Sequence, residues 1–266
     1  MKCNGGSPGN CLRAVGEKGT IKMKKSILSI LSNRKLAKNT YEMVLKGDVS
    51  AIKRPGQFIN IALDGYYLRR PISVCDWDKD SATIIYKVVG KGTEYMSKLS
   101  EGAELEVLSG LGNGYDTEKS GLNPLLIGGG SGIPPLYALA KELIAQGKKP
   151  TVILGFNSKD EVFYKDEFSA LGARVLITTA DGSLGIKGFA TDAFESAGDY
   201  TYTYACGPEP MLKAVYNTSV TDGQYSFEQR MGCGFGACMG CVCRTKYGYK
   251  RICREGPVLV KEEIVW

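Results

Sequence analysis

Four cysteines near the carboxyl end, spaced Cys233-x4-Cys238-x2-Cys241-x11-Cys253, constrain this chain more than any other feature. Cys3, Cys11, Cys75 and Cys206 are scattered, whereas Cys233, Cys238, Cys241, Cys243 and Cys253 crowd together. A secreted disulfide framework would spread through a small chain behind a signal peptide, and the amino terminus lacks the apolar h-region of one. The cysteines therefore read as a metal or cluster site in a reducing, cytoplasmic setting. The C-x4-C-x2-C…C spacing is that of plant-type [2Fe–2S] sites, in which four thiolates hold two irons. Gly232, Gly234, Gly236 and Gly240 let the loop bend tightly enough to aim amides at sulfur. Arg230, Lys250, Arg251 and Arg254 are placed to offset the cluster's negative charge. The x2 gap selects Cys241 as ligand and leaves Cys243 as a small packing residue. A structural zinc site is the other chemistry four thiolates support, but it usually shows two C-x2–4-C pairs.

Histidine is absent. That excludes a Ser-His-Asp triad, a His-ligated zinc and imidazole acid–base chemistry. The net charge of +6 is half accounted for by residues 1–22, where Lys2, Arg13, Lys18 and Lys22 face Glu17 alone. The rest of the chain is too nearly neutral to suggest binding to nucleic acid or a membrane surface. No apolar run approaches the roughly 18 residues of a membrane span.

A length of 266 residues suits two domains and a smaller third. Residues 1–22 are polar, glycine-rich and aperiodic; we expect a flexible extension, with Met23 as the natural start. Residues 23–119 hold short alternating runs at 25–31, 40–45, 57–63, 83–89 and 104–108, separated by turn residues such as Pro55-Gly56 and Asp64-Gly65. This predicts a small antiparallel β-barrel. From 120 to 222 the pattern becomes alternating strand and helix, with strands at 125–127, 151–154, 174–179 and 200–205. Leu136, Leu139, Ala140, Leu143 and Ile144 carry one helix face, closed by Gly147. That is a Rossmann-like parallel α/β domain. Residues 223–266 form the Cys-rich tail.

Three further segments point to cofactors. Gly128-Gly129-Gly130-Ser131-Gly132 lies between a strand and a helix, where a dinucleotide pyrophosphate meets backbone amides and a helix N-terminus. It matches G-x-G-x-x-G only in part, because Pro135 stands at the third glycine. The acidic residue usual after the second strand is missing, with Asn157 near that place. Cys206-Gly207-Pro208 follows another parallel strand, at the end where open sheets bind ligands. Cys206 is either a reactive thiol or, with no histidine to activate it, a packing residue. In the barrel, Arg70-Pro71-Ile72-Ser73 and the Gly90–Thr93 turn are compatible with a flavin dinucleotide or with a plain solvated strand edge.

From Met23 to the end, this combination and its order resemble the ferredoxin reductase superfamily. Within it, the four-cysteine tail resembles the electron-transfer subunits of NAD-dependent dihydroorotate dehydrogenase. The resemblance implies an FAD site of Arg70, Pro71, Ile72, Ser73, Tyr86, Lys87, Val88, Gly92 and Thr93, with Arg70 on the phosphates and Ser73 near flavin N5. It implies NAD at Gly128, Gly129, Gly130, Ser131, Gly132, Cys206, Gly207 and Pro208, and [2Fe–2S] on Cys233, Cys238, Cys241 and Cys253. The absence of an Arg near Asn157 favours NAD over NADP. It further implies a relay from an FMN-containing catalytic subunit through [2Fe–2S] and FAD to NAD⁺ in pyrimidine biosynthesis, with two subunits of each kind. The partner surface would involve Phe235 and Met239. The alternative is an FAD/[2Fe–2S] subunit of a ferredoxin:NADP⁺ oxidoreductase or sulfide dehydrogenase, in which an aspartate replaces one cluster cysteine. A metal-stabilised binding module without redox turnover would be a colourless protein.

Overall fold

The alternating runs of the first part close on themselves. In the computed structural model, which describes residues 23–266, they form strands β1 (Lys24–Ala37), β2 (Thr40–Lys46), β3 (Phe58–Ile61), β4 (Arg70–Trp77), β5 (Ser81–Lys87) and β6 (Glu104–Leu111). Short helix α1 (Lys91–Ser97) sits between β5 and β6. The strands make a closed barrel in the order β1-β2-β5-β4-β3-β6, antiparallel throughout, with β1 pairing β6 to seal it. Closure removes both sheet edges. Leu28, Met43, Leu45, Ile59, Ile61, Ile84 and Val107 fill the interior. The expected extension at residues 1–22 lies outside the described residues.

The second unit is an open sheet flanked by helices. Its elements are β7 (Pro124–Gly129), α2 (Pro134–Ala145), β8 (Thr151–Phe156), α3 (Lys165–Ala170), β9 (Arg174–Thr179), β10 (Ile186–Lys187), α4 (Phe194–Ala197), β11 (Tyr202–Cys206) and α5 (Glu209–Thr218). Leu136, Leu139, Ala140 and Leu143 of α2 are fully buried, so each leucine contributes roughly 1.5–3 kcal/mol. Gly147 has φ +78° and its N–H caps the Ile144 carbonyl, as a C-terminal glycine should.

The sheet extends beyond residue 222. Strand β12 (Gly223–Ser226) adds parallel to β11, and β15 (Val258–Val260), which follows the last cysteine, adds antiparallel to β12. The order is β10-β9-β8-β7-β11-β12-β15. Between β12 and β15 lie the cysteine loop and a hairpin, β13 (Val242–Thr245) with β14 (Gly248–Arg251). The tail is thus sewn into the sheet at both ends. Asn113, just after β6, ties it to the barrel by donating to the Val258 carbonyl (2.7 Å) and accepting from Val258 N–H (3.1 Å).

Burial goes beyond the alternation in one strand. The run at 57–63 alternates in sequence, yet all four residues of β3 are buried. Ile59 and Ile61 belong to the barrel core, while Phe58 belongs to the neighbouring apolar cluster that includes Cys241, Ile252 and Cys253. The Cys-rich tail covers the outer side of the strand.

Candidate functional site

The four expected ligands come together as two pairs. Cys233 N–H points at the Cys238 sulfur (3.4 Å), while Ala237 and Cys238 N–H point back at the Cys233 sulfur (3.2 and 3.4 Å). Gly240 N–H also reaches the Cys238 sulfur, and Cys253 N–H the Cys241 sulfur, each at 3.4 Å. Among the described residues no three His, Cys, Asp or Glu side chains converge on a single ion position. A zinc ion needs all four donors around one point, whereas two irons need two thiolates each. The donor set fits a two-iron cluster.

Electrostatics agree with that fit. Burial pushes the Cys253 thiol up to about 12, with the neighbouring Cys241 adding to the effect. Such a thiol ionises only beside a cation. Burial also pushes the Cys233 thiol up, but amide hydrogen bonds from Cys238, Phe235 and Ala237 outweigh it and hold the group at about 6. The amides are ready-made partners for negative sulfur.

The loop conformation differs from the glycine expectation. Gly234 (φ +76°) and Gly236 (φ +93°) are left-handed, but the third such position is Met239 (φ +60°), not Gly232 or Gly240. Two of the four expected counter-charges are already committed. Lys250 pairs with Glu263 and Arg251 with Glu255; Arg251 also donates to the Gly236 carbonyl (2.7 Å), bracing the loop. Cys243 is partly buried on β13 against the core beneath the loop. Phe235 and Met239 are exposed beside the ligands.

The barrel residues expected at a flavin converge on adjoining strands and one turn. Arg70 opens β4, and its guanidinium lies over the Tyr66 ring (5.0 Å) and against Gly92, where an added Cβ would overlap it. Any larger residue there would push the guanidinium aside. Thr93 caps α1: its Oγ1 accepts from Val89 and Gly90 N–H (3.0 and 3.3 Å), so the hydroxyl shapes the turn. Pro71, Ile72 and Ser73 continue β4 opposite Asn60, Ile59 and Phe58. Tyr86 and Lys87 end β5, and Val88 lies just past it.

The two nucleotide segments also meet. Chain order along the sheet reverses between β7 and β11, the crevice where open α/β sheets bind dinucleotides. Gly128 and Gly129 end β7, Gly130–Gly132 form a 3-10 turn, and Cys206-Gly207-Pro208 ends β11 beside them. The turns are in contact: a Cβ on Gly132 would overlap the Cys206 carbonyl and sit 2.5 Å from Gly207 N. Pro134 and Pro135 occupy the first turn of α2 and have no N–H, so amides offered to a phosphate must come from the glycine turn. Cys206 is buried, which pushes its thiol up to about 12; the packing reading holds over the reactive one.

A water-sized gap of about 10 Å³ between the units is lined by Thr40, Tyr86, Lys87, Gly130, Ser131 and Glu161. It unites barrel residues expected at FAD with glycine-turn residues expected at NAD. Lys87 and Glu161 pair across it (3.3 Å). Residue spacing does not disclose Glu161 or the partner of Ser131. Glu161 also accepts from Asn157 Nδ2 (3.0 Å), and Glu228, from the tail, accepts from Ser131 Oγ (3.2 Å). Both partnerships are long-range or cross an element boundary, which periodicity does not report.

A closed barrel, a parallel nucleotide-type sheet and a paired-cysteine loop define an oxidoreductase of the ferredoxin reductase class with an added iron–sulfur tail. The comparisons carry this further. Residues 126–217 match the family described as oxidoreductase NAD-binding domain. Residues 228–265 match the iron–sulfur cluster binding domain of dihydroorotate dehydrogenase B. The chain is 45% identical over 259 residues to the dihydroorotate dehydrogenase B (NAD(+)) electron transfer subunit of Fusobacterium nucleatum, covering 91% of this chain and 99% of that one. The corresponding Bacillus pumilus protein is 44% identical, with 91% and 98% covered. The structure of this chain is similar to that of the NADH-dependent reduced ferredoxin-NADP oxidoreductase, with TM-score 0.83, 32% identity, and 91% and 90% of the two chains covered. A Neisseria gonorrhoeae ferredoxin NADP⁺ reductase shares the fold at TM-score 0.64 and 19% identity, over 73% of this chain and 90% of that one.

The chain belongs to the family of electron transfer subunits of dihydroorotate dehydrogenase B (NAD(+)). It is an oxidoreductase subunit that carries an NAD-binding domain and an iron–sulfur cluster binding domain. No helix among the described residues is long and apolar enough to cross a membrane.

Proposed function

We propose that this chain links a cytoplasmic FMN-containing dihydroorotate dehydrogenase catalytic subunit to NAD⁺, in an assembly of two subunits of each kind. What supports the reading is that the strand expected at the flavin meets the glycine turn expected at the nucleotide, while the paired-cysteine loop is held against β3 of the same barrel. The flavin supplies the needed conversion, since a cluster moves single electrons and nicotinamide takes two as hydride.

The chain's own residues then have separable tasks. Cys233 with Cys238, and Cys241 with Cys253, would hold the two irons, and the loop amides would offset negative charge on sulfur. Arg70, resting on Gly92, would meet the FAD phosphates, and Ser73 the flavin's N5 edge, with Pro71, Ile72, Tyr86, Lys87, Val88 and Thr93 forming the rest of the seat. Gly128–Gly132 and Cys206-Gly207-Pro208 would receive NAD across the β7/β11 crevice. No residue here need abstract a substrate proton, in keeping with a chain that has no histidine. Domain limits near residues 23–119, 120–222 and 223–266 follow these tasks, although β12 and β15 join the tail to the sheet.

The test is anaerobic co-purification with the catalytic partner and assay of dihydroorotate-dependent NAD⁺ reduction. Activity in the complex and none in the isolated chain is expected. Dihydroorotate turnover by the isolated, FMN-free chain would refute the assignment.

A further inference from the structure

Asn60 joins the flavin strands to the cluster loop. It is buried to 1% exposure on β3, opposite Pro71 of β4 and Leu108 of β6. Strand alternation sends Ile59 and Ile61 into the barrel and turns Phe58 and Asn60 outward, beneath the tail. There Asn60 Nδ2 donates to the Cys233 carbonyl at 3.1 Å. Gly234 lies against the same carboxamide: a Cβ there would overlap Nδ2 and sit 3.1 Å from Cγ, at a backbone φ of +76°. Asn60 Oδ1 has no hydrogen-bond partner although it is buried. An apolar side chain would fill this place without an orphaned buried oxygen but would take the donor from the Cys233 carbonyl, so what the amide adds over packing is its hold on Cys233.

We propose that Asn60 is a positioning residue for electron transfer: from the barrel it fixes the first cluster cysteine relative to the flavin strand and thereby sets the cluster's reduction potential. This rests on the cluster and flavin assignments above. The physical route is short. Cys233 sulfur accepts amides from Ala237 and Cys238, and their alignment depends on where the Cys233 backbone is held. Hydrogen bonds to cluster sulfur, and nearby charge, are what tune such potentials. The strand that holds Cys233 pairs directly with Arg70-Pro71-Ile72-Ser73.

The experiment is an EPR-monitored redox titration of the complete complex, wild type against Asn60→Ala, Asn60→Asp and Gly234→Ala, with iron content and iron loss to a chelator measured in parallel. Asn60→Ala loosens the amides on Cys233 and is expected to lower the cluster midpoint by the equivalent of a tenfold change in equilibrium, about 59 mV for one electron. Asn60→Asp loses the donor and adds negative charge, so its midpoint falls further. Both keep full iron content but release it to chelator several-fold faster. Gly234→Ala reaches the same contact from the other side, so it tests the idea even where an Asn60 variant fails to fold. In the Asn60→Ala background it should cost less than in the wild type. Midpoints and chelator rates equal to wild type in both Asn60 variants would overturn the proposal. A wild-type complex with no reducible cluster would instead overturn the functional reading beneath it.

Discussion

Substituting Gly132 by alanine probes the contact between the two nucleotide turns. Gly132 is not in the left-handed region, so alanine carries no intrinsic backbone penalty there. The obstacle is steric and made of backbone: the new Cβ would overlap the Cys206 carbonyl and lie 2.5 Å from Gly207 N. Ordinary carbon contacts begin near 3.5 Å, so the turns must part by about 1 Å. Overpacking of this kind costs about 1–3 kcal/mol of stability. A displacement of about 1 Å at a reacting centre can cost on the order of a hundredfold in rate. In the complete complex, Gly132→Ala should therefore lower NAD⁺ reduction about a hundredfold, with FAD and iron content unchanged. Reduction of the partner's flavin by dihydroorotate should be untouched. Gly147→Ala, at the end of α2 and outside the proposed site, is the internal control: no atom lies within 4 Å of its added Cβ, and only its φ of +78° is strained. It should lose about 1–2 kcal/mol of stability and little rate. A folded Gly132→Ala complex with wild-type NAD⁺ reduction would refute the placement of NAD at these turns.

Three further outcomes follow from the same geometry. Cys241→Ser should abolish the cluster's visible and EPR signals while FAD remains, whereas Cys243→Ala, outside both thiol pairs, should keep them; iron analysis separates the two. Tyr164 donates to Glu42 Oε2 (2.9 Å) across the barrel–sheet boundary, where Arg34 also holds Glu42 (2.7 Å). Tyr164→Phe should cost about 1.5–3 kcal/mol in denaturant unfolding, the value of a hydrogen bond to a charged group. Because burial pushes Cys206 up to about 12 from an ordinary 9.0, its thiolate fraction near pH 8 is about a thousandfold below that of a free thiol. Alkylation of folded protein followed by mass spectrometry should leave Cys206 unmodified, with labelling appearing only on unfolding.

Much of the barrel and sheet is legible in the chain because their signals are local. The alternation at 40–45 and 83–89 appears as β2 and β5, and the 174–179 run is β9. The helix face from Leu136 to Ile144 and its Gly147 cap are found as α2. What periodicity misses is long-range. Strands β12 and β15 span only four and three residues, and nothing in a Gly/Cys-rich tail announces that it will complete a parallel sheet. The outer side of β3 is dry because a segment 173 residues later covers it. The spacing of the cysteines picks out four candidate ligands, but not their division into two pairs, the turn at Met239 or the brace from Arg251 to Gly236. Arg251 and Lys250 read as free counter-charges until Glu255 and Glu263 fold against them. Asn60 has no sequence signature, since a single asparagine in an apolar strand resembles an edge residue.

Freeze-quench EPR of the complete complex after anaerobic mixing with dihydroorotate and NAD⁺ tests electron passage through this chain most directly. The account predicts a reduced-cluster signal that rises before NADH accumulates, and loss of both signal and NADH formation when Cys241 is replaced by serine. NADH formed at the wild-type rate in the Cys241→Ser complex, with no cluster signal at any time, would contradict it.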